Sequence, residues 1–92
     1  MRLVFRVHAI ERMFQHGIDE EDVRRVLENG ETIKYYPDDT PYPSRLVLGW
    51  RVATRPIHVV AADDTEGGKT FVVTVYQPDP ELWEPGFRRK KS

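Results

Sequence analysis

The feature that most constrains this chain is a change of hydrophobic period at Asn29-Gly30. Before that point apolar residues recur at helical spacing; after it they alternate with polar ones. A chain that switches once from period 3.6 to period 2 keeps its helices and strands in separate blocks, which predicts an α+β fold. A first helix is expected over residues 8–16, with Ala9, Ile10, Met13 and Phe14 on one side and His8, Glu11, Arg12 and Gln15 on the other. Gly17 supplies a left-handed stop. A second helix is expected over 20–29. Asp19 is its N-cap, the acids that follow sit on the exposed first-turn amides, and Ile18 with Val23 has the spacing of a hydrophobic staple. Val23, Val26 and Leu27 form its buried stripe.

The alternating part begins with "ETIKYY" (31–36). A loop with three prolines (37–44) follows, then "RLVLGWRV" (45–52), an "ATRP" turn (53–56), "IHVVAA" (57–62), a polar Gly-Gly loop (63–69) and "TFVVTVY" (70–76). The opening "RLVFRV" reads as a short strand. Two N-terminal helices should therefore pack on one face of a three- or four-stranded antiparallel sheet. That face is expected to carry Leu46, Leu48, Trp50, Val59, Val73 and Val75, with Trp50 largely buried. The other face is left to water or to a ligand, and Trp83 should fold back onto the body.

Composition narrows the function classes. The chain has 92 residues, which suits one small core, read as a domain over 1–87 and a basic tail over 88–92. With no cysteine there is no disulfide framework and no thiolate chemistry, which fits a cytoplasmic protein. Apolar runs are too short for a membrane span, and the N-terminus lacks the pattern of a signal peptide. The net charge of −1 hides an asymmetry: residues 1–87 hold 10 basic against 15 acidic side chains, and Arg88, Arg89, Lys90 and Lys91 follow. Such a tail is a candidate RNA-binding arm, through contacts with phosphate.

Register suggests where chemistry could gather. Treating "ATRP" as a four-residue loop pairs Val52 with Ile57 and Arg51 with His58. Keeping the apolar faces aligned across the next loop sets His58 beside Thr74 or Tyr76. Arg51, His58 and Tyr76 would then share the open face, with His8 or Arg12 at its rim. A cation, an imidazole and a phenol suit metal-independent cleavage of RNA, which needs a base for the 2′-hydroxyl, an acid for the leaving oxygen and a cation on the phosphorane. No HExxH or Cys/His spacing is present, so neither a metal nor a cofactor is expected.

The stretches "HAIERMFQHGIDEEDVRRVLENGETIKYYPDD", "RPIHVVAADD" and "FVVTVYQPDPELW" carry a resemblance. Over about residues 5–85 the chain resembles a bacterial domain-of-unknown-function family grouped with the RelE/ParE-like toxins of type II toxin–antitoxin systems. The resemblance implies a small α+β fold and ribonucleolytic activity without a cofactor. It implies an antitoxin partner, in this group often one with a small zinc-finger domain, and an RNA substrate. Its polar sites fall on His8, Glu11, Arg12, His58 and Tyr76. The acidic body departs from the strongly basic ribosome-dependent relatives, which weighs against ribosome dependence. Two function classes follow: an endoribonuclease toxin, and a non-catalytic toxin or adaptor that binds a protein through the open sheet face. No membrane partner is expected.

Overall fold

The computed structural model describes residues 1–52 and 54–92. In chain order its elements are β1 (Arg2–Phe5), α1 (Val7–His16), α2 (Glu20–Asn29), β2 (Glu31–Tyr36), β3 (Ser44–Val52), β4 (Arg55–Asp64) and β5 (Lys69–Tyr76). The fold is α+β with two N-terminal helices, as the change of period predicts. The sheet, however, has five strands in the order β1-β5-β4-β3-β2 and is mixed rather than antiparallel. The correction comes from β1, which pairs parallel to β5 from Arg2↔Lys69 to Phe5↔Val72. A parallel pair needs a long crossover, here the helices and the other strands, so nothing near β1 in sequence announces its partner.

Local signals place both helix boundaries. Gly17 has φ 65°, and its N–H bonds the Met13 and Phe14 carbonyls, closing α1 in the left-handed region. Asp19 and Asp22 form a reciprocal capping box at the start of α2. Ile18 and Val23 are both buried in the core. At the other end of α2 the backbone of β3 comes close. A Cβ on Gly30 would strike the carbonyl oxygens of Val26 and Leu48, and one on Gly49 would lie 2.6 Å from a Val26 methyl. These two glycines let α2 lie directly on the sheet.

The core comprises Ala9, Ile18, Val23, Val26, Leu27, Val47, Ile57, Val59, Ala61, Val72 and Val75, with Leu3, Phe5 and Met13 packed against it. Three expectations about phase are corrected here. First, the helix-facing residues of β3 are Val47 and Gly49, not Leu46, Leu48 and Trp50; Val47 pairs with Val59 and Gly49 with Ile57. Trp50 is 40% exposed. Apolar residues fall on both faces of "RLVLGWRV", so alternation alone left two solutions, and Gly49 under Val26 selects the second. Second, Val72 and Val75 face the helices and Val73 does not. Val59 pairs with Val75, Val60 with Thr74 and Ala61 with Val72, so a bulge skips Val73 and changes the phase of β5. Third, α1 is rotated. Ala9 is buried, whereas Ile10 is 53% and Phe14 90% exposed.

The expected pairing of Val52 with Ile57 is also corrected, since Val52 pairs with Arg55 and Leu48 with His58. The turn expected at 53–56 includes Ala53, which lies outside the described residues; Arg55 and Pro56 already belong to β4. Among the described residues no helix is long and apolar enough to cross a membrane.

Candidate functional site

The helix-free face of the sheet is not left to water. After β5 the chain turns at Asp79, whose side chain accepts the Glu81 N–H and whose carbonyl accepts the N–H groups of Leu82 and Trp83. Residues 82–91 then double back as a hairpin. The Lys91 N–H donates to the Leu82 carbonyl and the Glu84 N–H to the Arg89 carbonyl, each at 2.8 Å. The hairpin tip lies over Trp50 and His58. The Phe87 ring meets the Trp50 ring edge-on at 6.0 Å, and the Trp83 ring meets the His58 ring at 4.4 Å. The basic residues 88–91 are thus the return limb of this hairpin, and Lys90 bridges to Trp83.

His58 lies beneath the hairpin with 0% exposure. Its Nε2 is 2.9 Å from the Phe87 carbonyl oxygen and its Nδ1 is 3.2 Å from the Tyr76 hydroxyl. A carbonyl oxygen only accepts, so Nε2 carries the ring proton. Nδ1 is then the acceptor, and the Tyr76 hydroxyl donates to it. Burial lowers the His58 pKa from its ordinary value, and the bond to Phe87 opposes that shift only in part. The imidazole is therefore neutral at neutral pH, with both nitrogens bonded inside the protein. Tyr76 is pushed the other way. Burial foremost, then the neighbouring Tyr36, raise its pKa, while the Arg12 guanidinium acts in the opposite sense. It is a neutral phenol at neutral pH.

These pKa directions give a first prediction. A histidine with a depressed folded pKa binds fewer protons than its unfolded counterpart. Its contribution to stability is therefore complete above the unfolded value of about 6.5 and is lost as the pH falls below it. His16 adds in the same sense, its pKa lowered by burial first and by Arg12 second. Most carboxylates titrate at lower pH, so the urea midpoint should fall between about pH 7.5 and about pH 5.5. An unchanged midpoint would contradict the buried, neutral His58.

Beside Tyr76 lies a pocket of about 220 Å³, lined by Ile33, Lys34, Tyr36, Leu46, Tyr76, Trp83, Arg88 and Lys90. Three cations, two phenols and an indole converge there, and the lining holds no acidic side chain. The Lys34 ammonium sits 5.4 Å from the centre of the Tyr36 ring. A larger groove, of about 460 Å³, runs between α2 and β3 past Arg25, Asn29, Glu31 and Trp50. It holds one cation, Arg25, which is paired with Asp22, and a carboxylate, Glu31. Chemistry is better placed in the smaller pocket. Among the described residues no group of three or more His, Asp or Glu side chains is arranged to hold a metal ion.

The residues singled out in the sequence are brought together only in part. His58 and Tyr76 are paired across β4 and β5. Arg51 lies on the opposite face, its Nε 3.3 Å from the buried Asp22 carboxylate, so the expected groove of Arg51, His58 and Tyr76 does not form. Arg12 is half-buried on α1, with its charge felt at Tyr76, whereas His8 is exposed. Arg88 and Lys90 line the pocket; Arg89 and Lys91 are exposed. Sequence reasoning missed Lys34, Tyr36 and Trp83 as site residues. The spacing of Lys34 and Tyr36, two apart on one strand, was the available signal.

The chain is thus a small α+β domain with a pocket lined by cations and aromatic rings on the helix-free face of its sheet. The chain belongs to the family described as a domain of unknown function, DUF4258, which matches residues 5–77. No curated protein and no solved structure matches the chain.

Proposed function

We propose that this protein is the toxin of a toxin–antitoxin pair and that it cleaves RNA without a metal at the pocket beside Tyr76. The observation that supports this reading is the convergence of Lys34, Arg88 and Lys90 with Tyr36, Tyr76 and Trp83. Cations suit the phosphodiester and aromatic rings suit unstacked bases of a single strand. In this reading Tyr76, rather than His58, touches the substrate. Its hydroxyl proton is committed to His58, which leaves an oxygen lone pair for the 2′-hydroxyl. As the 2′-oxygen bonds to phosphorus, its proton passes to the Tyr76 oxygen and the phenol proton moves to His58 Nδ1. The bond from phosphorus to the 5′-oxygen breaks, and the Lys34 ammonium protonates the leaving oxygen. Burial disfavours the imidazolium, so this relay is weaker than a free histidine base. The larger share of rate enhancement falls to the cations around the phosphorane.

A second reading, a protein-binding toxin or adaptor, is favoured by one surface. Val7, Ile10 and Phe14 are 72%, 53% and 90% exposed and form a stripe on α1, away from the buried Ala9. That stripe, not the covered sheet face, is where a partner's apolar side chains would dock, whether an antitoxin or a target. One comparison separates the readings. Purified protein should cleave RNA in EDTA, and Lys34→Ala should lower the rate by roughly 10²-fold, the scale for loss of a group that acts in the transition state. Phe14→Ser should leave that rate unchanged. Growth arrest that survives Lys34→Ala but is abolished by Phe14→Ser would favour the binding reading instead.

A further inference from the structure

Arg88 is already gripped by an oxyanion. Its Nε lies 2.9 and 3.1 Å from the two carboxylate oxygens of Glu31, to which its N–H donates, and its Nη2 lies 2.9 Å from Oε1. A guanidinium uses this same fork for two oxygens of a phosphate. The pair is open to solvent, with side-chain exposures of 59% and 52%, so an incoming anion can reach it. Exposed pairs of this kind are weak and displaceable.

The pair is also not what closes the hairpin. The backbone bonds from Lys91 to Leu82 and from Glu84 to Arg89 do that, together with the bond from His58 to the Phe87 carbonyl. Glu31 sits at the start of the edge strand β2, outside the lining of a pocket whose own charged residues are all cationic. A carboxylate at this border neutralises one of three cations and does little else that the structure requires.

We propose that Glu31 is an internal phosphate surrogate: it occupies the phosphate position of Arg88 in the free protein, and a backbone phosphate of single-stranded RNA displaces it on binding. This deepens the RNA reading and rests on it. Glu31 then sets the affinity of the site by competition, so removing its charge tightens RNA binding.

The test is fluorescence anisotropy with a labelled 2′-O-methyl oligouridylate, which binds but cannot be cleaved through a 2′-hydroxyl. Glu31→Gln, which keeps the shape and an acceptor oxygen, should tighten binding about two- to five-fold at low salt, the worth of one exposed ion pair. The log–log salt slope should change by less than the roughly 0.7 of a full phosphate contact on a single strand, because Arg88 meets the phosphate in both proteins. The gain should vanish in an Arg88→Gln background, because it runs through that side chain. Glu31→Ala should repeat the result, and thermal melts should show each variant folded. Wild-type binding with no gain in Glu31→Gln overturns the inference and leaves the RNA reading standing. A gain that persists without Arg88 also overturns it, since the effect would then be general charge. No binding by either protein at low salt removes the reading and the inference together.

Discussion

Replacing His58 with alanine is expected to destabilise the protein by about 3 kcal/mol, as a core truncation does. The imidazole is wholly buried against Trp83 and bonds both Tyr76 and Phe87. Truncation leaves a ring-sized void. It also leaves the Phe87 carbonyl and the Tyr76 hydroxyl without their partner, at about 1 kcal/mol or more for each group that water cannot reach. In a domain of this size the loss corresponds to roughly 10–20 °C in Tm. His58→Gln keeps a donor for the Phe87 carbonyl and should fall between alanine and the parent. Melting followed by circular dichroism checks the order. An alanine variant that melts with the parent would mean that the hairpin does not seal His58 from water. The expected size of this effect changes how activity data are read: loss of function in His58→Ala reports first on folding. That reverses the expectation from sequence, in which an open-face histidine could be removed at little structural cost.

The reversal shows where the sequence was legible and where it was not. Helix boundaries were legible because they are local: Gly17, Asp19 and the Asp22 capping partner act within a few residues. Strand positions were legible from alternation. Pairing of His58 with Tyr76 was one of the two registers, Thr74 or Tyr76, that aligned apolar faces left open. The failures share a cause in long-range geometry. The β1–β5 pair joins opposite ends of the chain. The bulges at Val60/Ala61 and Trp50/Val52 shift phase within strands whose composition is apolar on both faces. The hairpin over the sheet came from a segment rich in proline and charge, which reads as a solvated tail. Trp83 was the residue there expected from sequence to fold inward; Phe87, which meets Trp50, was not. That hairpin covers the part of the second face around His58 and leaves a small pocket beside Tyr76, so it moves the candidate site from Arg51 towards Lys34, Tyr36 and Arg88.

Tyr76→Phe is the sharper probe of chemistry. The substitution removes one oxygen and retains the ring, so the pocket wall and the edge contact with His58, at 5.3 Å between ring centres, persist. Its structural cost is one hydrogen bond and an unpartnered His58 Nδ1, about 1–2 kcal/mol, which a domain of ordinary stability tolerates. Its cost to catalysis is expected to be far larger, because Tyr76 lines the pocket whereas His58 does not, and the phenol oxygen is the only atom of the Tyr76 side chain able to accept a proton. Loss of the group that accepts the 2′-hydroxyl proton should lower cleavage roughly 10²- to 10³-fold, with RNA affinity changed little, since the stacking surface and the cations remain. The variant also tests the order of proton movement. If His58 were itself the base, freeing Nδ1 from the phenol would preserve or raise activity; if Tyr76 mediates, activity falls while the protein stays folded. Cleavage by folded Tyr76→Phe at the parent rate would remove the phenol from the reaction and leave Lys34, Arg88 and Lys90 to act on the phosphate without it.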